Sequence, residues 1–140
     1  MTNLRMYCLS IYDHTLPIIK SLGYIPVGLG NNSFSKEWLR DNSGENISYK
    51  NKFYGEYSFH YWFWKNELSK IKDGNWVGFC AYREFWKNKS NTEDTDLNAA
   101  ALKLIPNEWE NFDVIIGEHR SFKSLKELKY SKIFKYGLLS

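Results

Sequence analysis

The sequence is poor in the features that would class it at once. It has 2 cysteines, 3 prolines and 3 histidines in 140 residues. Cys8 and Cys80 sit far apart inside apolar runs, with no CxxC spacing and no histidine at metal-ligand spacing. That argues against a disulfide scaffold and a zinc site, and both thiols read as reduced core residues of a cytoplasmic protein. No apolar run approaches the ~18 residues of a membrane span. The N-terminus also lacks a basic segment followed by an apolar stretch, so neither a span nor a secretory signal is expected. Peripheral association with a membrane surface stays open. There is no GxSxG elbow and no Ser or Cys nucleophile beside a histidine, which argues against a hydrolase. Basic residues number 19 against 16 acidic, a net charge of +3, and they are scattered. Such a balance tolerates an anionic ligand such as a nucleotide phosphate but does not mark a nucleic-acid binder.

What the chain does have is enough apolar material for one domain spanning 1–140, with 43% hydrophobic residues. Aromatics make up 18% and concentrate between Phe53 and Trp86. Rings at that density build a thick core or line a site that stacks on flat ligands.

The pattern along the chain alternates strand and helix. Leu4–Tyr12 is apolar without clean alternation, as in a central strand covered on both faces. Thr15 suits a helix N-cap, with Pro17 in the first turn and Gly23 at the C-terminal end. Ile25–Leu29 reads as a second strand, which Pro26 moves toward an edge or a strand start. A long polar connection, 31–48, carries one helical turn at Ser35–Arg40 and the segment DNSGENIS. Its amides, hydroxyls and carboxylates suit either a solvated loop with Ser48 as N-cap or a binding loop.

A long helix ending at Gly74 follows, with Phe53, Tyr57, Tyr61, Trp64, Leu68 and Ile71 as its core stripe. Asn51, Tyr54, Ser58, Trp62 and Lys65 share one flank; Glu56, His60, Phe63 and Glu67 share the other. Aromatics outside the stripe imply that the helix is covered on more than one side. Gly55 costs a helix interior about 1 kcal/mol relative to Ala and suggests close approach by another backbone. Trp76–Tyr82 is a third strand, Leu97–Ile105 a short helix, Phe112–Gly117 a fourth strand, and Ser124 opens a final helix.

This order predicts an α/β fold with a mostly parallel sheet flanked by helices. Ligands of such sheets bind beyond the carboxyl ends of the strands. Three strands end in polar clusters there: Asp13-His14, Arg83-Glu84 and Glu118-His119-Arg120. Their convergence is the physical argument for a site.

The run from Asp41 to Phe85 also resembles a bacterial family of capsular and exopolysaccharide biosynthesis proteins, glycosyltransferase-like and long catalogued as a domain of unknown function. The resemblance rests on Asp41, Gly44, Glu45, Asn46, Ile47, Ser48, Asn51, Tyr54, Glu56, Tyr61, Trp62, Lys65, Asn66, Gly78, Tyr82 and Arg83 at fixed spacing. His14 followed by YIPVGLG is similar to the family's opening. Three positions depart from its pattern: Ala81 replaces a usual His, Glu84 a usual second Arg, and Gly55 a common Cys. The resemblance covers nearly the whole chain but about the first half of the family's usual domain, so the chain reads as the N-terminal portion of a larger one.

The resemblance implies a glycosyltransferase A-like nucleotide-binding half, with a nucleotide sugar and a glycan acceptor as partners. Arg83, Lys65 or a metal would neutralise the diphosphate leaving group. Tyr61, Trp62 or Tyr82 would stack on a base or sugar, and Asn46 and Asn51 would bind hydroxyls. Asp41, Asn66 and His14 join the substrate-binding set as pattern positions. Glu56 or Glu84 would act as base toward the acceptor hydroxyl, with Glu56 as a partner of Arg83 or Lys65 the alternative. Mg²⁺ or Mn²⁺ is the cofactor such chemistry draws on, and no metal ligand is assigned. The Asp94-Thr95-Asp96 pair has the hard oxygens for it, but follows no apolar strand and reads as loop. The rival reading is a domain that binds a nucleotide or carbohydrate without catalysis.

Overall fold

A computed structural model describes residues 3–87, 96–117 and 124. Its centre is β1 (Leu4–Ser10), buried on both faces over its last five residues. Met6 and Cys8 enter one core layer, while Tyr7 and Leu9 enter the other. A 3-10 turn, Asp13–Thr15, leads into α1 (Leu16–Ser21), with Pro17 in the first turn. Thr15 precedes the helix, but its hydroxyl makes no cap bond and lies instead 2.7 Å from the Tyr12 carbonyl. Gly23, at φ 72°, closes the helix. The Gly23 N–H donates to the Lys20 carbonyl and the Tyr24 N–H to that of Ile19, the paired bonds of a Schellman end.

β2 (Ile25–Gly28) pairs parallel with β1 from Tyr7↔Ile25 to Ser10↔Gly28. Outside it lies β3 (Leu39–Arg40), which forms where the sequence predicts a helical turn. Pro26 falls in the half of β2 that β3 does not reach. On the other side of β1, β4 (Trp76–Ala81) pairs parallel from Leu4↔Trp76 to Leu9↔Ala81. The order β3-β2-β1-β4 is that of an all-parallel α/β sheet. The α1 segment covers the Met6–Cys8 side, joined by Leu22, Tyr24, Trp38 and Leu102. Among the described residues no helix is long and apolar enough to cross a membrane.

The expected helix from Ser48 to Gly74 is divided. A 3-10 turn, Ser48–Lys50, passes into α2 (Asn51–Tyr54), and the chain then breaks at Gly55. With φ 56° and ψ −128°, Gly55 adopts a conformation that residues with a Cβ rarely take. α3 (Tyr57–Asn66) follows, then a 3-10 turn at Leu68–Lys70, so the helix ends well short of Gly74. The buried face also differs from the predicted stripe. α3 buries Ser58, Phe59, Trp62 and Phe63. Phe53, Tyr57, Trp64 and Leu68 are 75%, 72%, 57% and 48% exposed. Aromatics ring this helix, so periodicity alone does not choose a face. The choice falls to fit: Phe59 and Phe63 lie 5.7 and 5.2 Å from the Tyr7 ring and 6.1 and 5.2 Å from that of Phe79.

After β4 the expected helix at 97–105 shortens to the single turn α4 (Leu97–Ala100), capped by Asp96 Oδ1 on the Asn98 N–H. Ala101 leaves it to bridge Lys87. The expected strand at 112–117 does not form; its residues and those of β4 both line an open groove of about 720 Å³. Glu118, His119 and Arg120, and the helix expected from Ser124 onward, lie outside the described residues apart from Ser124 itself. Since the inner face of α3 carries its packing, Phe59→Ala should cost about 3–5 kcal/mol in urea unfolding. Tyr57→Ala, two residues earlier, should stay within about 0.5 kcal/mol.

Candidate functional site

The strand order switches sides at β1. The chain moves from β1 to β2 on one side, then returns from β3 across to β4 on the other. The connections diverge at the carboxyl ends of β1 and β4, and a crevice opens there in such folds. A cleft of about 920 Å³ lies at this end, with Leu9, Ala81, Glu56, His60, Glu84 and Phe85 in its lining. Glu56 is the residue that opens α3. His60 stands four positions on, so the two share one flank. Glu84 comes from the tight turn after β4, where its N–H donates to the Ala81 carbonyl at 2.9 Å.

Beside the cleft a row of rings runs along the strand ends. His14 lies 5.4 Å from Tyr12, Tyr12 lies 5.6 Å from Tyr82, and the Arg83 guanidinium stands 4.9 Å over the Tyr82 ring. The turn carrying Tyr12 is held by Ser10, whose Oγ accepts the Tyr12 N–H at 3.0 Å and lies 2.9 Å from Thr15 Oγ1. Asn32 Nδ2 donates to the Ile11 carbonyl and the Ser35 N–H to Asp13 Oδ1. The segment after β2 therefore braces the β1 end.

The remaining predicted residues join a different construction, which straps the loop 41–48 to α3. Trp62 Nε1 donates to the Ser43 carbonyl at 2.8 Å. Asn66 Nδ2 donates to the Glu45 carbonyl at 2.9 Å. Tyr61 donates to Glu45 Oε1 at 2.7 Å, and Lys65 Nζ lies 3.2 Å from the same oxygen. Gly44, at φ 57°, brings its backbone against Asn66, where a Cβ would overlap Asn66 Oδ1. Asn46 folds onto its own loop, donating to the Gly44 carbonyl and accepting from Ser48. Asp41 is fully buried and accepts from Ser58 Oγ at 2.6 Å. Asn51 Nδ2 reaches Ser58 Oγ and the Gly55 carbonyl. The break at Gly55 is thus tied to the end of β3.

The structure therefore separates the predicted residues. Glu56 and Glu84 line the cleft; His14, Tyr82 and Arg83 belong to the row of rings. Asp41, Asn46, Asn51, Tyr61, Trp62, Lys65 and Asn66 belong to the strap. Sequence reasoning left out His60 and Tyr12. Glu56 and His60 at i and i+4 were the available signal for the first. Tyr12 had none, since it reads as the last residue of an apolar strand.

Charges follow this geometry. The bond from Tyr61, then that from Lys65, lowers the pKa of the Glu45 carboxyl, and the same bond raises that of the Tyr61 phenol. Burial pushes the His60 imidazole down, opposed by the Glu56 charge. Cys80 faces Cys8 across the β1–β4 pair; its contact with that thiol and its burial push its pKa up. A thiol so held is a poor nucleophile. Among the described residues no three His, Cys, Asp or Glu side chains come together as a metal site. The two cleft carboxylates do not by themselves build a divalent-cation site, and Asp94 lies outside the described residues.

An α/β protein with an open crevice at the carboxyl edge of its sheet is the class these observations define. A family described as a domain of unknown function, DUF4422, matches residues 7–139, and the chain belongs to that family. No curated protein and no solved structure matches it.

Ser58→Ala would leave the buried Asp41 carboxylate without its hydroxyl partner, and should cost at least about 1–3 kcal/mol in urea unfolding. The His60 shift gives a sign for pH. Its folded pKa lies below the unfolded value of 6.5, so the unfolded chain binds the proton more readily and stability falls as pH drops below that value. His60→Gln should flatten the fall in thermal midpoint between about pH 7 and 5.

Proposed function

We propose that this protein is a glycosyltransferase-like enzyme that moves a sugar from a nucleotide-sugar donor to a glycan acceptor in surface polysaccharide biosynthesis. The observation that carries the reading is the cleft at the β1–β4 reversal, with two carboxylates and an imidazole in it and an arginine beside it. Parallel α/β sheets place nucleotides at such a reversal. Tyr12 and Tyr82 offer ring faces and edges to a base, and Arg83 offers charge to a diphosphate. The acceptor hydroxyl attacks the anomeric carbon and its proton passes to Glu84 or Glu56. The bond from that carbon to the diphosphate oxygen breaks, and the nucleoside diphosphate leaves with the electron pair. Tyr61, Trp62, Lys65 and Asn66 serve this chemistry through the strap, by holding the loop 41–48 in place.

A second reading, binding of a nucleotide or carbohydrate without transfer, is favoured by the apolar character of much of the cleft. Phe79, Cys80, Ala81, Phe85 and Trp86 all line it. A thermal-shift panel of nucleotide sugars, with and without Mn²⁺, tests both readings. A ligand at 100 times its Kd stabilises the fold by about 2.7 kcal/mol. Wild type should show such a shift, and Arg83→Ala should reduce it while leaving the ligand-free midpoint in place. A shift with no nucleoside diphosphate released would select the binding reading; no shift with any nucleotide would end both.

A further inference from the structure

The periodicity of the helical segment marks a real apolar stripe, yet the fold turns it outward. Tyr57, Tyr61 and Trp64 fall within about 60° of one another around α3. Tyr57 and Trp64 are exposed, Tyr61 is partly so, and exposed Leu68 continues the line past the helix. Tyr49, Phe53 and Tyr54, on the preceding turns, are exposed as well. The turn at 48–50 and α2 both contact α3. Large exposed rings on adjoining elements of a small domain mark a surface that another phase or partner covers.

Lysines identify that partner. The ammonium of Lys50 stands 5.5 Å from the Tyr49 ring centre, that of Lys52 4.8 Å from Phe53, and that of Lys65 4.2 Å from Trp64. Rings on this face thus carry cations beside them. An apolar groove on a protein would have to strip water from those ammoniums, and a sugar ring would find the Trp64 face already taken. A layer of anionic headgroups over acyl chains satisfies both features at once: the rings enter the boundary and the ammoniums meet phosphates. Acidic side chains lie on the same elements, but Glu45 is engaged by Lys65 and Tyr61, and Glu67 by Lys70. Exposed Glu56 belongs to the cleft flank. Lys50 and Lys52 have no acidic partner within 4.0 Å among the described residues.

We propose that the exposed aromatic face of α2 and α3, with Lys50 and Lys52, docks this protein onto an anionic lipid surface. The inference stands independently of the transfer reading. It would hold the described domain at the membrane surface.

Flotation of the full chain with vesicles tests it, comparing phosphatidylcholine alone with phosphatidylcholine mixed with phosphatidylglycerol. Wild type should float with the mixed vesicles and not with the neutral ones, and added salt should release it. Lys50→Glu with Lys52→Glu should weaken the partition by about fivefold or more per lysine. Tyr57→Ala with Trp64→Ala should weaken it at unchanged charge and an unchanged circular-dichroism spectrum. Equal flotation with both vesicle types, no flotation with either, or variants that bind as wild type does would each overturn the proposal. Sedimentation at several concentrations supplies a further arm. Self-association that the Tyr57/Trp64 variant abolishes, with no vesicle binding, would make the face a contact between copies and overturn the lipid assignment.

Discussion

The contact on which the rest of this structure depends is the aromatic packing of α3 against the β1–β4 pair. Phe59 and Phe63 meet Tyr7 of β1 and Phe79 of β4 ring against ring. Interior packing of this kind fixes the rotation of a helix closely, because rings interdigitate in few ways. Three consequences follow from that one angle. Glu56 and His60 are carried over the cleft, Trp62 and Asn66 are turned toward the loop 41–48, and Tyr57, Tyr61 and Trp64 are left outside.

Within that frame the chain keeps its polar chemistry in separate places. The strap binds loop to helix through neutral and charged hydrogen bonds whose partners are close in space and far apart in sequence, up to 21 residues for Asn66 and Glu45. Its anchor, the Asp41 carboxylate, is fully buried, with Oδ2 accepting from Ser58 and Oδ1 without a hydrogen-bond partner among the described residues. A buried carboxylate is costly unless its partners are in place. That makes Asp41 a sensor of whether β3, the break at Gly55 and α3 are all correctly assembled. The cleft, by contrast, opens where strands end, and its carboxylates are solvated. The two thiols lie on the far core layer, paired with each other across β1 and β4. Exposed polar groups at the strand ends, buried thiols in the sheet and bonded polar groups in the strap form a division that the backbone topology imposes.

Much of the fold was legible because it rests on local signals. Apolar runs without alternation identify β1 and β4 as strands of a parallel sheet, and the Pro17–Gly23 spacing brackets α1 closely. The failures share a cause. Gly55 reads as a helix glycine that another backbone approaches, yet nothing lies within 4 Å of where its Cβ would stand; its positive φ and the ties from Asn51 and Ser58 to its carbonyl make it a break. The segment 112–117 has the composition of a strand, but it forms no ladder with the edge strand β4 and instead lines the open groove that β4 also lines. Ser35–Arg40 has a helical turn's composition, yet Leu39 and Arg40 are drawn into the sheet by β2, with the Arg40 guanidinium on the carbonyls of Gly28 and Gly30.

The candidate site divides along the same line. By itself the sequence determined the α/β alternation, the polar ends of its strands and the presence of a loop rich in amides and carboxylates before an aromatic helix. These depend on residue type and short spacing, which survive without coordinates. Only the tertiary structure decided which side of that helix faces the core. The helix has apolar residues on every side, so its burial energy differs little between rotations when counted by residue type. What separates the rotations is shape, the seat of Phe59 and Phe63 among Tyr7 and Phe79, together with hydrogen bonds to Asp41 and Ser43 that no periodicity encodes.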